Sequence, residues 1–140
     1  MTAEQANGDL VQRFYTNFQA GEIDAVLALL SPDFELVYSG PSIIPAAGTW
    51  KGHEGFRSWA QAALQGHLPP ESVSFEEFII DGEKVVVPGH VRLRVKTTGQ
   101  TCETDFLHFF TVRDGKLTSW RDFYDTFAVA EAYTRQRDGK

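Results

Sequence analysis

The dominant hydrophobic period of this chain changes from helical to strand-like at Pro69-Pro70. Upstream, apolar residues recur at helical spacing: Leu10, Phe14 and Phe18 lie four apart, with Val11 and Tyr15 beside them. Downstream they alternate, most cleanly over 90–96, where Val91, Leu93 and Val95 read inward and Arg92, Arg94 and Lys96 outward. A helix buries a stripe and a half-buried strand buries one face, so the two halves share a core when the helices lie on a sheet. The spacing predicts helices over 3–20, 23–30, 54–65 and 127–137. Gly21 supplies a left-handed cap for the first, Ser31-Pro32 stops the second, and Asp125 or Thr126 caps the last. Strands are expected over 34–38, 73–80, 83–87, 90–96, 101–112 and 117–124, with 39–52 as a loop. Asp81-Gly82 and Arg113-Asp114-Gly115 are the expected hairpin turns. The class is therefore α+β, a curved antiparallel sheet with helices closing one face into a cone.

At 140 residues the chain is read as one domain, 1–140, with no linker or repeat inside it. A chain of this length buries roughly 70 % of its unfolded surface, enough for a core without disulfides or metals. Thirteen basic residues against 19 acidic ones leave a net charge of −6, which argues against a nucleic-acid partner. No apolar run approaches the roughly 20 residues of a membrane span, so no membrane partner is expected. Residues 1–9 lack the regions of a secretory signal, and the single Cys102 has no thiol to pair with. The expected location is cytoplasmic.

Four stretches carry a family resemblance: GEIDAVLALLSPDFELV (21–37), AGTWKGHEGF (47–56), FIIDGEKVVVPGHVRLRVKTTG (78–99) and HFFTVRDGKLTSWRDFYDT (108–126). In that order and spacing the chain resembles the SnoaL-like branch of the nuclear-transport-factor-2-like superfamily. The resemblance implies a cone-shaped α+β barrel, cystatin-like, with N-terminal helices and a C-terminal helix around the sheet. Relatives with this fold include ketosteroid isomerase, polyketide cyclase and limonene epoxide hydrolase. The isomerase uses an Asp base, a Tyr and a second Asp at positions held here by Tyr38, Phe14 and His108. The epoxide hydrolase is similar at Trp120-Arg121-Asp122, but its Arg and second Asp fall on Gly89 and Val91, and its water-holding pair on Leu36 and Tyr38. The cyclases use a pocket Asp as general acid/base, which asks least of the residues present.

Register decides which side chains meet, because a one-residue slip exchanges the two faces of a strand. A three-residue loop with Gly115 in a left-handed bulge sets His108 opposite Trp120 and Phe106 opposite Asp122. His108 and Asp122 then lie on a diagonal, about 7–8 Å apart between backbones. A two-residue Asp114-Gly115 turn would instead bring His108 beside Arg121. The three-residue loop is the expectation, because it gathers the large aromatics on one face. A histidine near a carboxylate in an aromatic cavity is an acid/base unit, which makes Asp122 and His108 the candidate catalytic residues. Tyr15, Phe18, Tyr38, Trp50 and Trp59 are candidate substrate contacts, joined from the last strands by Phe106, Phe110, Trp120 and Tyr124. The plainer reading makes His108 a satisfied core histidine and Asp122 a structural carboxylate.

His53 and Glu54 read as helix capping, His90 points outward, and His67 falls in a Pro-rich loop. No histidine pair has zinc spacing, and neither a Gly-rich phosphate loop nor a nucleophile elbow occurs, so no metal and no cofactor are expected. The expected function is that of a small acid/base enzyme, an isomerase, cyclase or dehydratase-type lyase, acting on an apolar cyclic or oxygenated molecule. The alternative is a non-catalytic ligand-binding or assembly module of the same fold. The expected partners are a small apolar or aromatic ligand and a second copy of the chain. Leu107, Phe109 and Phe123 read outward, which is too much apolar surface for an exposed face. The resemblance also implies pairing through that face.

Overall fold

Thr2 starts the first helix with a capping box, its hydroxyl accepting from the Gln5 N–H at 3.0 Å while the Gln5 side chain accepts from the Thr2 N–H at 2.8 Å. The computed structural model describes residues 1–134. Helix α1 (Ala3–Gln19) ends at Gly21, whose φ of 76° lets the Glu22 N–H turn back to the Asn17 carbonyl. Its inner stripe is Leu10, Val11, Phe14 and Tyr15. Helix α2 (Ile23–Leu27), strand β1 (Leu30–Tyr38), strand β2 (Gly48–Lys51) and helix α3 (Gly52–Gly66) complete the first half. The second half is β3 (Ser72–Phe75), β4 (Ile79–Asp81), β5 (Lys84–Arg94), β6 (Thr101–Arg113), β7 (Lys116–Tyr124) and α4 (Thr126–Thr134).

The strands form one open sheet in the order β2-β1-β7-β6-β5-β3, with β4 also on β5. Neighbours run antiparallel except β1 and β7, which are parallel. The parallel pair brings the N-terminal half onto the C-terminal hairpin, and α1 and α3 then lie on the inner face. Phe14 is the hub of the core, its ring in contact with Tyr15, Phe18, Phe56, Phe110 and Trp120. The α+β class expected from the two hydrophobic periods is the one observed.

Four local expectations are corrected. The second helix stops at Leu27, and Leu30 already pairs with Leu117, because Pro32 forces its predecessor into extended backbone. Residues 39–52 hold the short strand β2, too brief at four residues to show alternation. The predicted strand 73–80 is two strands, since the β5 partner Pro88 offers no N–H and the chain opposite it loops out over Glu76 and Glu77. Conversely, the two strands expected over 83–87 and 90–96 are one, β5, continuous through Pro88-Gly89. Asp125 caps α4 through the Ala128 N–H, and positions 135–137 of the expected last helix lie outside the described residues.

The last hairpin carries the correction that matters for the site. Its turn is the two-residue one, Asp114-Gly115, with φ of 52° and 75° and Arg113 paired to Lys116. That turn alone would bring His108 to Arg121. The ladder shifts once, however, between Val112↔Leu117 and Thr111↔Ser119, leaving Thr118 as an extra residue in β7. The bulge shifts the register by one residue, which restores the predicted faces with each pairing two positions from the predicted one. His108 faces Asp122 directly, Phe106 faces Tyr124 and Phe110 faces Trp120.

Candidate active site

The inner face of β5–β7, roofed by α1 and α3, encloses a cavity of about 520 Å³. Its rim holds the exposed Gln19, Ala20 and Gly21 at the end of α1, with Leu64 of α3 and Pro69 across from them. Its wall is aromatic, and no Lys or Arg lines it among the described residues. Of the predicted contacts, Tyr15, Phe18, Tyr38, Trp59, Phe106, Trp120 and Tyr124 line this space together with His108 and Asp122. Two predicted contacts do not. Phe110 is fully buried behind Trp120, stacked on it at 5.7 Å, and forms core rather than wall. Trp50 lies on β2 at the sheet edge, where its indole donates to the Ala46 carbonyl at 2.9 Å. Phe14, Phe75 and Thr104 line the cavity as well, outside the predicted set of contacts.

Three side chains from three elements form a row. The Tyr15 hydroxyl of α1 lies 2.7 Å from His108 Nδ1, and His108 Nε2 lies 3.3 Å from Asp122 Oδ2. Asp122 is 6 % exposed. Burial first, and the nearby Asp122 second, push the Tyr15 phenol well above its ordinary pKa, so Tyr15 is a hydrogen-bond donor at neutral pH. The tautomer assigned by this network has Tyr15 donating to Nδ1 while the Nε2–H is directed at the carboxylate. Phe106 stacks on the imidazole at 4.2 Å and Trp120 meets it edge-on at 5.1 Å, which fixes the ring plane.

A second buried row lies beside the first. Tyr38 stands in register with Asp122 across the parallel β1–β7 pair. Its hydroxyl lies 2.9 Å from His67 Nε2, and His67 Nδ1 lies 2.8 Å from the Tyr133 hydroxyl of α4. Desolvation lowers the His67 pKa to about 4, against a smaller opposing pull from Asp122, so the ring is neutral. The Tyr38 and Tyr124 phenols are both raised, by burial first and by Asp122 next, and Tyr124 donates to the Ser39 carbonyl. The sequence places His67 in a Pro-rich loop. Its two partners are 29 and 66 residues away, and no local pattern marks such a contact.

The remaining histidines are elsewhere. His53 contacts the Leu30 carbonyl at 3.1 Å, and His90 is held on the outer face between Glu103 and Asp105, each at 2.9 Å. Among the described residues, no group of three or more His, Cys, Asp or Glu side chains is placed to hold a metal ion. No helix among them is long and apolar enough to cross a membrane.

Comparison with solved structures finds the same architecture repeatedly. A nuclear-transport-factor-2-like protein from Burkholderia xenovorans LB400 is 34 % identical, with a TM-score of 0.84 over 94 % of this chain and 98 % of that one. A nuclear-transport-factor-2-like protein of unknown function from Burkholderia pseudomallei K96243 is 25 % identical, with a TM-score of 0.84 over 96 % of this chain and 100 % of that one. TerC, co-crystallised with polyporic acid, is 28 % identical, with a TM-score of 0.79 over 93 % of this chain and 99 % of that one. Comparison with curated proteins finds no match. The SnoaL-like domain family matches residues 11–120, from the inner stripe of α1 to Trp120 on the cavity wall, and the chain belongs to that family.

Proposed function

We propose that this protein is an acid/base enzyme that moves a proton on the carbon beside a carbonyl, in an apolar, cyclic small molecule. The observation that carries the reading is the row Tyr15–His108–Asp122 inside a cavity that is otherwise aromatic. Asp122 takes the proton, and the C–H electron pair moves onto the carbonyl oxygen. The enolate is then reprotonated at another carbon, as in an isomerase, or forms a C–C bond to a second carbonyl of the same molecule, as in a cyclase. His108, held by Tyr15, keeps the carboxylate oriented through its Nε2–H. These steps use only a carboxylate and an imidazole.

The wall supports the substrate class. Stacked rings favour a planar ligand, and a lining without Lys or Arg disfavours phosphates and other multiply charged anions. That TerC was co-crystallised with polyporic acid is in keeping with a small organic ligand here. The test is α-proton exchange of β-tetralone in heavy water, followed by proton NMR. Wild type is expected to exceed heat-denatured protein, and a folded Asp122→Asn variant to lose roughly 100-fold or more. Full exchange by Asp122→Asn, or none by wild type, overturns the reading; the latter leaves a binding module.

The outer sheet face is assigned to a second copy of the chain. Leu107 and Phe123 face each other across the ladder at 46 % and 41 % exposure, with Phe109 beside them. Arg121 stands over the Phe123 ring and Lys84 over the Phe109 ring, a rim of cations around an apolar strip. Light scattering is expected to give twice the chain mass at micromolar concentration, and a single-chain mass removes the dimer.

A further inference from the structure

Three buried side-chain atoms have no hydrogen-bond partner among the described residues: Trp59 Nε1, Trp120 Nε1 and Asp122 Oδ1. All three residues line the cavity, and none is more than 6 % exposed. Buried polar groups in folded proteins are paired in the great majority of cases, and an orphan leaves its desolvation unrepaid. Three orphans on one wall are a local feature of this site. The fold groups them: Trp120 and Asp122 are alternate residues on the inner face of β7, and Trp59 of α3 packs edge-to-face on Trp120 with centroids 5.1 Å apart. An aromatic face satisfies an indole N–H only weakly.

The other polar groups of the wall are committed elsewhere. Tyr15 is bonded to His108, Tyr38 to His67, Tyr124 to the Ser39 carbonyl and Thr104 to the Asp105 carbonyl. What remains is two donors of one kind and one acceptor. An indole N–H donates and cannot accept, so its partner must be an acceptor such as a carbonyl oxygen. We propose that the Trp59 and Trp120 indoles are the positioning donors for a substrate carbonyl oxygen, with Asp122 Oδ1 facing the proton-bearing atom next to it.

This rests on the enolisation reading above and narrows it to ketones with an enolisable carbon beside the carbonyl. During proton removal, negative charge collects on the carbonyl oxygen, so donors already aimed there hold the transition state more tightly than the ground state. Indole does not release its proton, so the oxygen is held as an enolate rather than trapped as an enol. Its electron pair stays available for reprotonation or bond formation at carbon.

The test separates the donors from the chemistry. Fluorenone and fluorene share one tricyclic outline, and only fluorenone has a carbonyl; neither is enolised, so Asp122 proton transfer plays no part. Trp59→Phe and Trp120→Phe keep an aromatic ring and delete the donor. Calorimetric titration is expected to show wild type preferring fluorenone by about tenfold or more, and each variant losing about five- to tenfold of that preference at nearly constant fluorene affinity. The infrared carbonyl band of bound fluorenone is expected to move to higher frequency in each variant. Equal losses for both ligands, an unmoved band in both variants, no carbonyl preference in wild type, or no binding of either tricycle overturns the proposal. Thermal melts identify folded variants, and Trp59→Phe decides the matter if Trp120→Phe does not fold. The Asp122 reading fails separately, in the β-tetralone exchange.

Discussion

His108 stands directly across the ladder from Asp122, with Nε2 3.3 Å from Oδ2, because Thr118 is an extra residue in β7. The Asp114-Gly115 turn sets one register at the tip of the hairpin, and the bulge shifts it by one residue before the strand reaches the cavity. Without that shift, the face now carrying Trp120, Asp122 and Tyr124 would point outward, and Arg121 and Phe123 would enter the core. The His108–Asp122 pair and the aromatic wall thus depend on the same irregularity.

Tyr15 orients His108 through Nδ1, the ring nitrogen that does not face Asp122. Tyr15→Phe leaves Nδ1 without its donor and is expected to cost about 1–2 kcal/mol of stability. β-Tetralone exchange should fall about tenfold or more, mostly in kcat, since binding area is nearly unchanged. Melts and exchange kinetics on the same preparation check both.

His67 makes stability depend on pH. The folded ring takes a proton only near pH 4, whereas the unfolded chain takes it near the ordinary histidine value of 6.5. Between those values the unfolded state binds more protons, so this contribution is complete above pH 6.5 and is lost as pH falls towards 4. Its full size is about 3 kcal/mol. Urea unfolding from pH 7 to 4 is expected to show a steeper loss in wild type than in His67→Gln; parallel curves refute it.

Gly89 lies under the edge of the Phe106 ring, and a methyl there would also meet the Ser74 carbonyl. Both must give way: the ring swings aside, and the β3 backbone shifts at Ser74. Gly89→Ala is expected to destabilise by about 1–3 kcal/mol and to weaken fluorenone binding, as Phe106 is displaced from the cavity wall. An unchanged melting temperature refutes it.

Trp50 serves as the control. Trp50→Phe removes the bond to the Ala46 carbonyl and should cost about 1 kcal/mol, with fluorenone affinity unaltered. A change in affinity at constant fold would return Trp50 to the site.

Much of the architecture was legible locally. Phe14 and Tyr15 could be placed inside because a helical stripe has one core-facing side, and Val91, Leu93 and Val95 because a strand alternates. The family was readable from four stretches in order, and so were most residues of the wall. His67 was not, since its polar partners come from β1 and α4, and neither was the separation of Trp50 from Trp59, two tryptophans nine residues apart with no sequence sign of which one meets the cavity.

By itself, then, the sequence determined the two hydrophobic periods, the α+β class, the membership of the SnoaL-like family and the candidate pair His108 and Asp122. The periods and the class follow from which atoms each segment must hide from water, a demand that every short stretch states on its own. The family was readable from four stretches in order, and the pair from the hairpin that carries it. Only the tertiary structure decided the bulge at Thr118, the direct pairing of His108 with Asp122, and the unpartnered indoles of Trp59 and Trp120. Those depend on how strands and helices distant in sequence fit against one another, and the period of a single segment is the same whichever neighbour it meets.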